Sequence, residues 1–360
     1  MKTFTKVGKS LARLYCIIKF WNYLSGMTAK NQWKLLALGL FMAFGRYPIS
    51  WLLSSHRKVR KPGILPSRSR GHLSCSSGNI YYVELDGPQD AQAIVFLHGL
   101  NASGLQWYYQ RAYFRTKYKL VFIDTPGHGK SPLGKSLATE VLANDLAEMM
   151  EMLGIKNPVV YGHSMGGMVT MKYAGGPGRA NVKGIILQHS GYSHPFKTTK
   201  FPKTLLSIEH PFLRSYLAFA KRHPVLFRLI SMLNYLNGLS LLSYRYLLFS
   251  GEQTASQLRF MTRIAAINPP EGIADAFLGI LDFDATAELE KINVPALIIS
   301  ADHDPILVPA AGSYLAKAIK LGTHQQVDSG HLSLMEHAVE LNVMVNNFLE
   351  SPGLLDHRGD

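Results

Sequence analysis

Residues 157 to 170 read NPVVYGHSMGGMVT. An apolar, β-branched run climbs to Gly162, a histidine and a serine follow, and two further glycines lead into residues that favour a helix. A strand turning sharply into a helix, with Ser164 at the apex, accounts for this order, because a side chain at Gly162 or Gly166 would crowd such a turn. The segment GHSMG fits G-x-S-x-G. With Gly and Ser each near about 7% of residues, chance supplies such a match on the order of a tenth of the time in a chain of this length.

A serine hydroxyl is a weak nucleophile until a base takes its proton and a third group orients that base. Downstream, ADHDPILVP supplies Asp304 just past one strand, and VDSGHLSLMEH supplies His331 past the next. Ser164, Asp304, His331 is the chain order used by sheet enzymes with a serine elbow. Asp302 is a rival for the acid and His337 stands near the base, with the loop position favouring His331. His98 reads as a brace for its own loop, and His163 as a wall of the pocket or a packing residue.

Around the elbow the sequence alternates short apolar runs with helical patterns. Strands are expected at 80–85, 93–99, 119–124, 158–162, 182–188, 296–300 and 324–328, which implies an α/β fold with a mostly parallel sheet covered on both faces. Residues 192–290 carry helix periodicity and many aromatics without a strong strand, as in FLRSYLAFAKRHPVLFRLISMLNYL, and read as a helical insertion over the strand ends.

These motifs together resemble the α/β-hydrolase fold, in its cap-bearing esterase, lipase and acylglycerol-hydrolase form, over roughly residues 79–350. FLHGLNAS resembles the family's His-Gly oxyanion loop, DTPGHGKS its turn after the third core strand, and SGHLSLMEH its Gly-His followed by a helix. The resemblance implies that the backbone N–H groups of Leu100 and Met165 form the oxyanion hole, and that no cofactor is needed. One departure stands at the acid, where Ala301 occupies the family's usual glycine position and keeps Asp302 in contention. The family's other place for an acid, after the sixth strand, reads LQHSG and offers none.

The chain has 360 residues, 38 Lys and Arg against 24 Asp and Glu, and a formal charge of +14. From Met1 to Val83 there are 14 bases and no acid, so the remaining 24 bases and 24 acids cancel. That distribution argues against a nucleic-acid groove on the main domain and favours an address or a membrane contact. Cys16 and Cys75 stand in no disulfide, metal or redox spacing, which makes a reducing compartment the default. PGHGKS ends like a phosphate loop, but Asp124 stands where that loop's first glycine belongs. No metal motif appears.

The N-terminal region holds an amphipathic stretch at 11–24 and a charge-free run at 35–45 that continues past Arg46. A short span or an in-plane anchor would suit it, with Trp21, Trp33 and Trp51 at the interface. A helical extension packed on the domain and a transit peptide are the rivals, and a cleaved secretory signal fits less well. The expected organisation is an N-terminal segment at 1–55, a linker at 56–78, a core at 79–191 and 291–350, and a helical cap at 192–290. The expected location is the membrane surface, or otherwise the cytoplasm.

The expected activity is hydrolysis of a carboxylic ester, with a lipophilic acyl ester such as a monoacylglycerol as substrate. Thioester, amide or carbon–carbon cleavage and acyl transfer remain open on the same residues, as does a non-catalytic receptor or tethered interaction protein.

Overall fold

The computed structural model describes residues 29–199 and 202–355. Eight strands form one sheet: β1 (Ser69–Ser74), β2 (Ile80–Asp86), β3 (Ala93–Leu97), β4 (Lys119–Asp124), β5 (Val159–His163), β6 (Gly184–Gln188), β7 (Ala296–Ala301) and β8 (Gly322–Val327). Their order is β1-β2-β4-β3-β5-β6-β7-β8; β1, β2 and β4 pair antiparallel, and every pair from β4 through β8 is parallel.

Central strands are apolar on both sides because both sides are covered. Along β3, Val95 and Leu97 join one core, while Ile94 and Phe96 join the other. The first core lies under α4 (Thr139–Met152) and α5 (Met165–Gly175), which supply Leu146, Met149 and Met171. The second lies under α3 (Tyr108–Phe114) and α13 (Ala338–Leu349), which supply Phe114, Leu341 and Val345. Wholly buried strands of this kind carry continuous apolar runs, which is why they are readable.

The first strand is not. β1 lies inside the stretch expected to be linker, so ordered sheet begins at Ser69 and the expected boundary near Asn79 is too late. Its residues SRGHLS are exposed except for a half-buried Leu73, so neither face carries an alternating signal. Backbone pairing with β2, from Ser69 opposite Leu85 to Ser74 opposite Ile80, makes the strand. The chain before it is also held: Tyr109 Oη donates to the Arg60 carbonyl at 2.6 Å and Arg111 Nη1 to that of Leu65 at 3.2 Å.

Between β6 and β7 lie α6 (Pro202–Ile208), α7 (Arg214–Arg222), α8 (Pro224–Asn237), α9 (Leu239–Leu247), α10 (Ala255–Ile267) and α11 (Pro270–Leu281). β7 is followed by α12 (Pro309–Ala318). Near the start of the described chain, α1 (Ala29–Phe44) and α2 (Arg46–Leu52) bend by 67° about Gly45 and pack on this helical block. At Gly45 the two backbones approach so closely that a Cβ would run into the Asn237 carbonyl. Further along, Gln253 Nε2 donates to the Leu53 carbonyl at 2.7 Å. Among the described residues no single helix is long and apolar enough to cross a membrane. The amphipathic stretch expected at 11–24, with Cys16 and Trp21, falls outside the described residues.

One carboxylate fastens the helical block to the sheet. Glu336 is buried and accepts from the backbone N–H groups of Ser250, Gly251, Glu252 and Gln253 at 2.9–3.1 Å. Beside it, Leu332 N–H donates to the Leu248 carbonyl at 2.9 Å, and a Cβ at Gly330 would meet that same carbonyl. The loop bearing His331 is thus tied to the end of α9. Glu336→Ala strands those amides and is expected to lower unfolding stability by about 2–4 kcal/mol in urea titrations; an unchanged midpoint would refute the clamp.

Candidate active site

The elbow forms because a helix starts where a strand ends with almost no room between them. Ser164 adopts φ 52° and ψ −116°, a conformation that a non-glycine residue occupies only when its surroundings enforce it. A Cβ at Gly162 would strike the Gly166 carbonyl and the Thr170 hydroxyl; one at Gly166 would strike the Leu97 carbonyl. Both glycines are therefore required by close approach. Met165 opens α5, so its N–H has no acceptor within the helix.

Asp304 and His331 meet. His331 Nδ1 lies 2.7 Å from Asp304 Oδ2, with both side chains buried. The other carboxylate oxygen accepts from the N–H groups of Ile306 at 2.8 Å and Leu307 at 3.1 Å. Burial pushes the Asp304 carboxyl up, but His331, His189 and the backbone donors outweigh it and hold the group below the usual carboxylate range. A carboxylate against Nδ1 fixes the proton there and leaves Nε2 free to act as a base. Asp302 is elsewhere: it is exposed and bonded to Gln326. His337 is likewise apart, facing Glu252 at 3.4 Å and Glu340 at 3.7 Å.

Ser164, His331 and Leu100 border one cavity of about 590 Å³. Its walls are apolar, with Met168, Phe196, Leu205, Met261, Phe277 and Ile280 among them. The size falls within the range of about 300–1,000 Å³ usual for small-molecule sites. His98 braces the loop before Leu100, with Nδ1 2.8 Å from the Gly99 carbonyl and Nε2 accepting from Thr125 N–H at 2.9 Å. In the turn after β4, Asp124 accepts from Gly104 and Lys130 N–H groups at 2.6 and 2.9 Å, a structural use.

Two more buried imidazoles stand here. His163 Nε2 lies 3.0 Å from the His331 carbonyl and so carries its proton there, leaving an unpartnered Nδ1 facing Gly99. His189, just past the end of β6, stands behind the acid. Tyr161 Oη donates to Gln188 at 2.7 Å, Gln188 Nε2 to Ser333 Oγ at 2.8 Å, and that hydroxyl sits 2.6 Å from His189 Nε2. The other His189 nitrogen, Nδ1, lies 4.0 Å from Asp304 Oδ2, beyond hydrogen-bond reach, and has no hydrogen-bond partner. Sequence reading passed over His189, since only the fold brings LQHSG beside Asp304.

Cys75, Asp145 and Glu148 place ligand-type atoms within 4.8 Å of one another. Asp145 Oδ2 already accepts from Ser77, Asn79 and Tyr81, and burial with the two acids pushes the Cys75 thiol up to about 12, so the cluster is a hydrogen-bonded packing element.

The model of the alpha/beta hydrolase fold matches residues 92–338. The chain belongs to the α/β-hydrolase family. This α/β hydrolase is 24% identical over 274 residues to 3-oxoadipate enol-lactonase 1 of Acinetobacter baylyi, covering 76% of this chain and 94% of that one. A shorter stretch of 103 residues is 37% identical to the sn-1-specific diacylglycerol lipase ABHD11 of Danio rerio, spanning 28% and 32% of the two chains. Among solved structures, an esterase from Thermogutta terrifontis superposes with a TM-score of 0.64 at 21% identity, covering 78% of this chain and 98% of that one. These comparisons support hydrolase as the activity class of this α/β hydrolase.

The buried histidines set a pH dependence. Burial depresses His189 and His128 to about 3, so both stay neutral in the folded protein while the unfolded chain takes up protons below about 6.5. The unfolded state then binds more protons between those values, and stability must fall as pH falls through that window. The expected loss by pH 5 is on the order of 2 kcal/mol per histidine, read from urea unfolding at pH 7 and 5. Equal stability at both values would mean these imidazoles are not buried neutral.

Proposed function

We propose that the chain is a serine hydrolase that cleaves carboxylic esters with a lipophilic acyl group through an acyl-enzyme. The observation that carries the reading is the 2.7 Å contact of His331 Nδ1 with a buried Asp304, on the same apolar cavity as a serine held in a left-handed turn. His331 Nε2 takes the Ser164 proton, and the oxygen attacks the ester carbonyl carbon. The tetrahedral oxyanion is stabilised by the N–H groups of Leu100 and Met165. Collapse breaks the bond to the alcohol oxygen, which leaves with the proton from His331. Water then gives a proton to His331, attacks the acyl-enzyme, and releases the acid and the Ser164 hydroxyl. Asp304 keeps Nδ1–H in place and balances the imidazolium.

The lipophilic acyl preference rests on the cavity walls, where leucines, phenylalanines and methionines outnumber polar groups. The lactonase, lipase and esterase among the similar proteins are consistent with ester cleavage, as their names describe them. No step calls for a metal or an organic cofactor.

Two measurements test the reading. A fluorophosphonate probe is expected to label the wild-type protein at Ser164, and label on another residue, or on none, would reject it. Ser164→Ala should retain its thermal unfolding profile and lose at least about 10⁴-fold in kcat/KM on p-nitrophenyl esters. Rates rising with acyl-chain length would accord with the apolar cavity; a preference for acetate over octanoate would remove the lipophilic part.

A further inference from the structure

Most of the exposed large apolar side chains fall in two segments far apart in sequence, residues 33–52 and 206–247. The fold places them side by side. α1 packs along α8, and α2 packs against α8 and α9. At the seam, a Cβ at Gly238 would crowd Ile49 and Arg46, and Asn237 Nδ2 lies 3.9 Å from Met42 Sδ. The joint surface exposes Trp33, Phe41 and Trp51 from the first segment and Phe212, Val225 and Leu229 from the second, several of them more than 60% exposed. Soluble monomers rarely leave contiguous apolar patches beyond a few hundred Å².

Bases far outnumber acids in the two segments. Residues 29–61 contain seven Lys or Arg and no Asp or Glu; residues 202–247 contain six and a single acid, Glu209. That acid is buried and taken up by His194 and Arg214, each at 2.9 Å. Lys34, Arg222 and Arg228 have no carboxylate within 4.0 Å among the described residues. Arg57, Lys221 and Arg214 pair with Glu252, Asp275 and Asp282 of neighbouring segments, so the surround is basic in excess rather than throughout. An apolar surface with a net basic surround matches a bilayer with anionic headgroups, where each base near the surface adds attraction. A protein partner would need an acidic rim of its own, and a second copy of this face would meet like charge.

We propose that α1, α2 and α7 to α9 form one docking face on which the protein lies in the plane of an anionic phospholipid bilayer. Both bent apolar helix pairs, Trp33–Phe44 with Arg46–Leu52 and Pro224–Asn237 with Leu239–Leu247, belong to it, and their bends of 67° and 82° suit lying on a membrane rather than crossing one. α9 has Ser243 and Tyr244 in the cavity wall while Leu239, Leu242 and Tyr246 are exposed. One helix thus separates the cavity from the lipid. Docking stands independently of the ester chemistry; the benefit to a lipophilic substrate rests on that reading.

The test is flotation of the full chain with phosphatidylcholine vesicles, with and without phosphatidylglycerol. The protein is expected to float with the phosphatidylglycerol vesicles, to bind less at high salt, and to shift its tryptophan emission to the blue as Trp33 and Trp51 enter the interface. The double variant Val225→Glu, Leu229→Glu should bind at least about 10-fold more weakly. Fluorophosphonate labelling and hydrolysis of a water-soluble ester should stay unchanged, which separates failure of docking from failure of the serine reading. Arg228→Glu gives a milder loss that cannot be assigned to misfolding, and Val339→Glu on α13 should change nothing. The proposal is overturned if wild type ignores both vesicle types. It is equally overturned if the double variant binds as wild type does, which would assign attachment to residues 1–28, or if light scattering finds a dimer that the variant dissolves without any vesicle binding.

Discussion

The contact between the first turn of α5 and the ends of β3 and β5 is the constraint on which this molecule depends. Bare glycines at 162 and 166 let the helix start against the Leu97 carbonyl, and that approach holds Ser164 in a strained left-handed conformation. The strain is sustained by the two flanking cores, since neither the strand nor the helix can retreat from its layer without exposing buried leucines and methionines. A parallel sheet with this elbow points the serine and the following amides to one rim. The loops after β3, β7 and β8 deliver the remaining groups to that rim.

Behind that rim lies a continuous polar chain. Tyr161, Gln188, Ser333 and His189 are joined by hydrogen bonds that run from the centre of the sheet and end 4.0 Å short of Asp304. In a water-poor interior each member needs its partner, and each partner restricts the next to one orientation. His331 bonds one oxygen of the carboxylate and two backbone amides bond the other, while His189 stands 4.0 Å away on the far side. The Glu336 clamp adds a second tie, joining the loop of His331 to the chain leaving α9. The helical block is thereby tied by hydrogen bonds to the loop that carries the imidazole.

The outer side of the molecule follows a different logic. The core sheet has ordinary mixed charge, while the helices laid over it expose apolar residues among bases. Aromatic and branched side chains in α1 and α8 have nothing further to pack on within the described chain. Leaving them together in water carries a hydrophobic penalty, which the proposed docking on lipid would relieve.

The sequence by itself determined seven of the eight strands, the elbow and the chain order of the candidate groups Ser164, Asp304 and His331, because buried strands write continuous apolar runs and a tight turn admits only glycine at two positions. It also located all the excess charge before Glu84. Strand β1 escaped notice because a pairing made by backbone on an exposed edge leaves no side-chain pattern. The choice between Asp302 and Asp304 beside His331, the arrival of His189 behind the acid, and the joining of residues 33–52 to 206–247 were decided only by tertiary structure. Each depends on which segments distant in sequence come within a few ångströms of each other, and that is set by packing of the whole chain, which no local stretch of residues encodes.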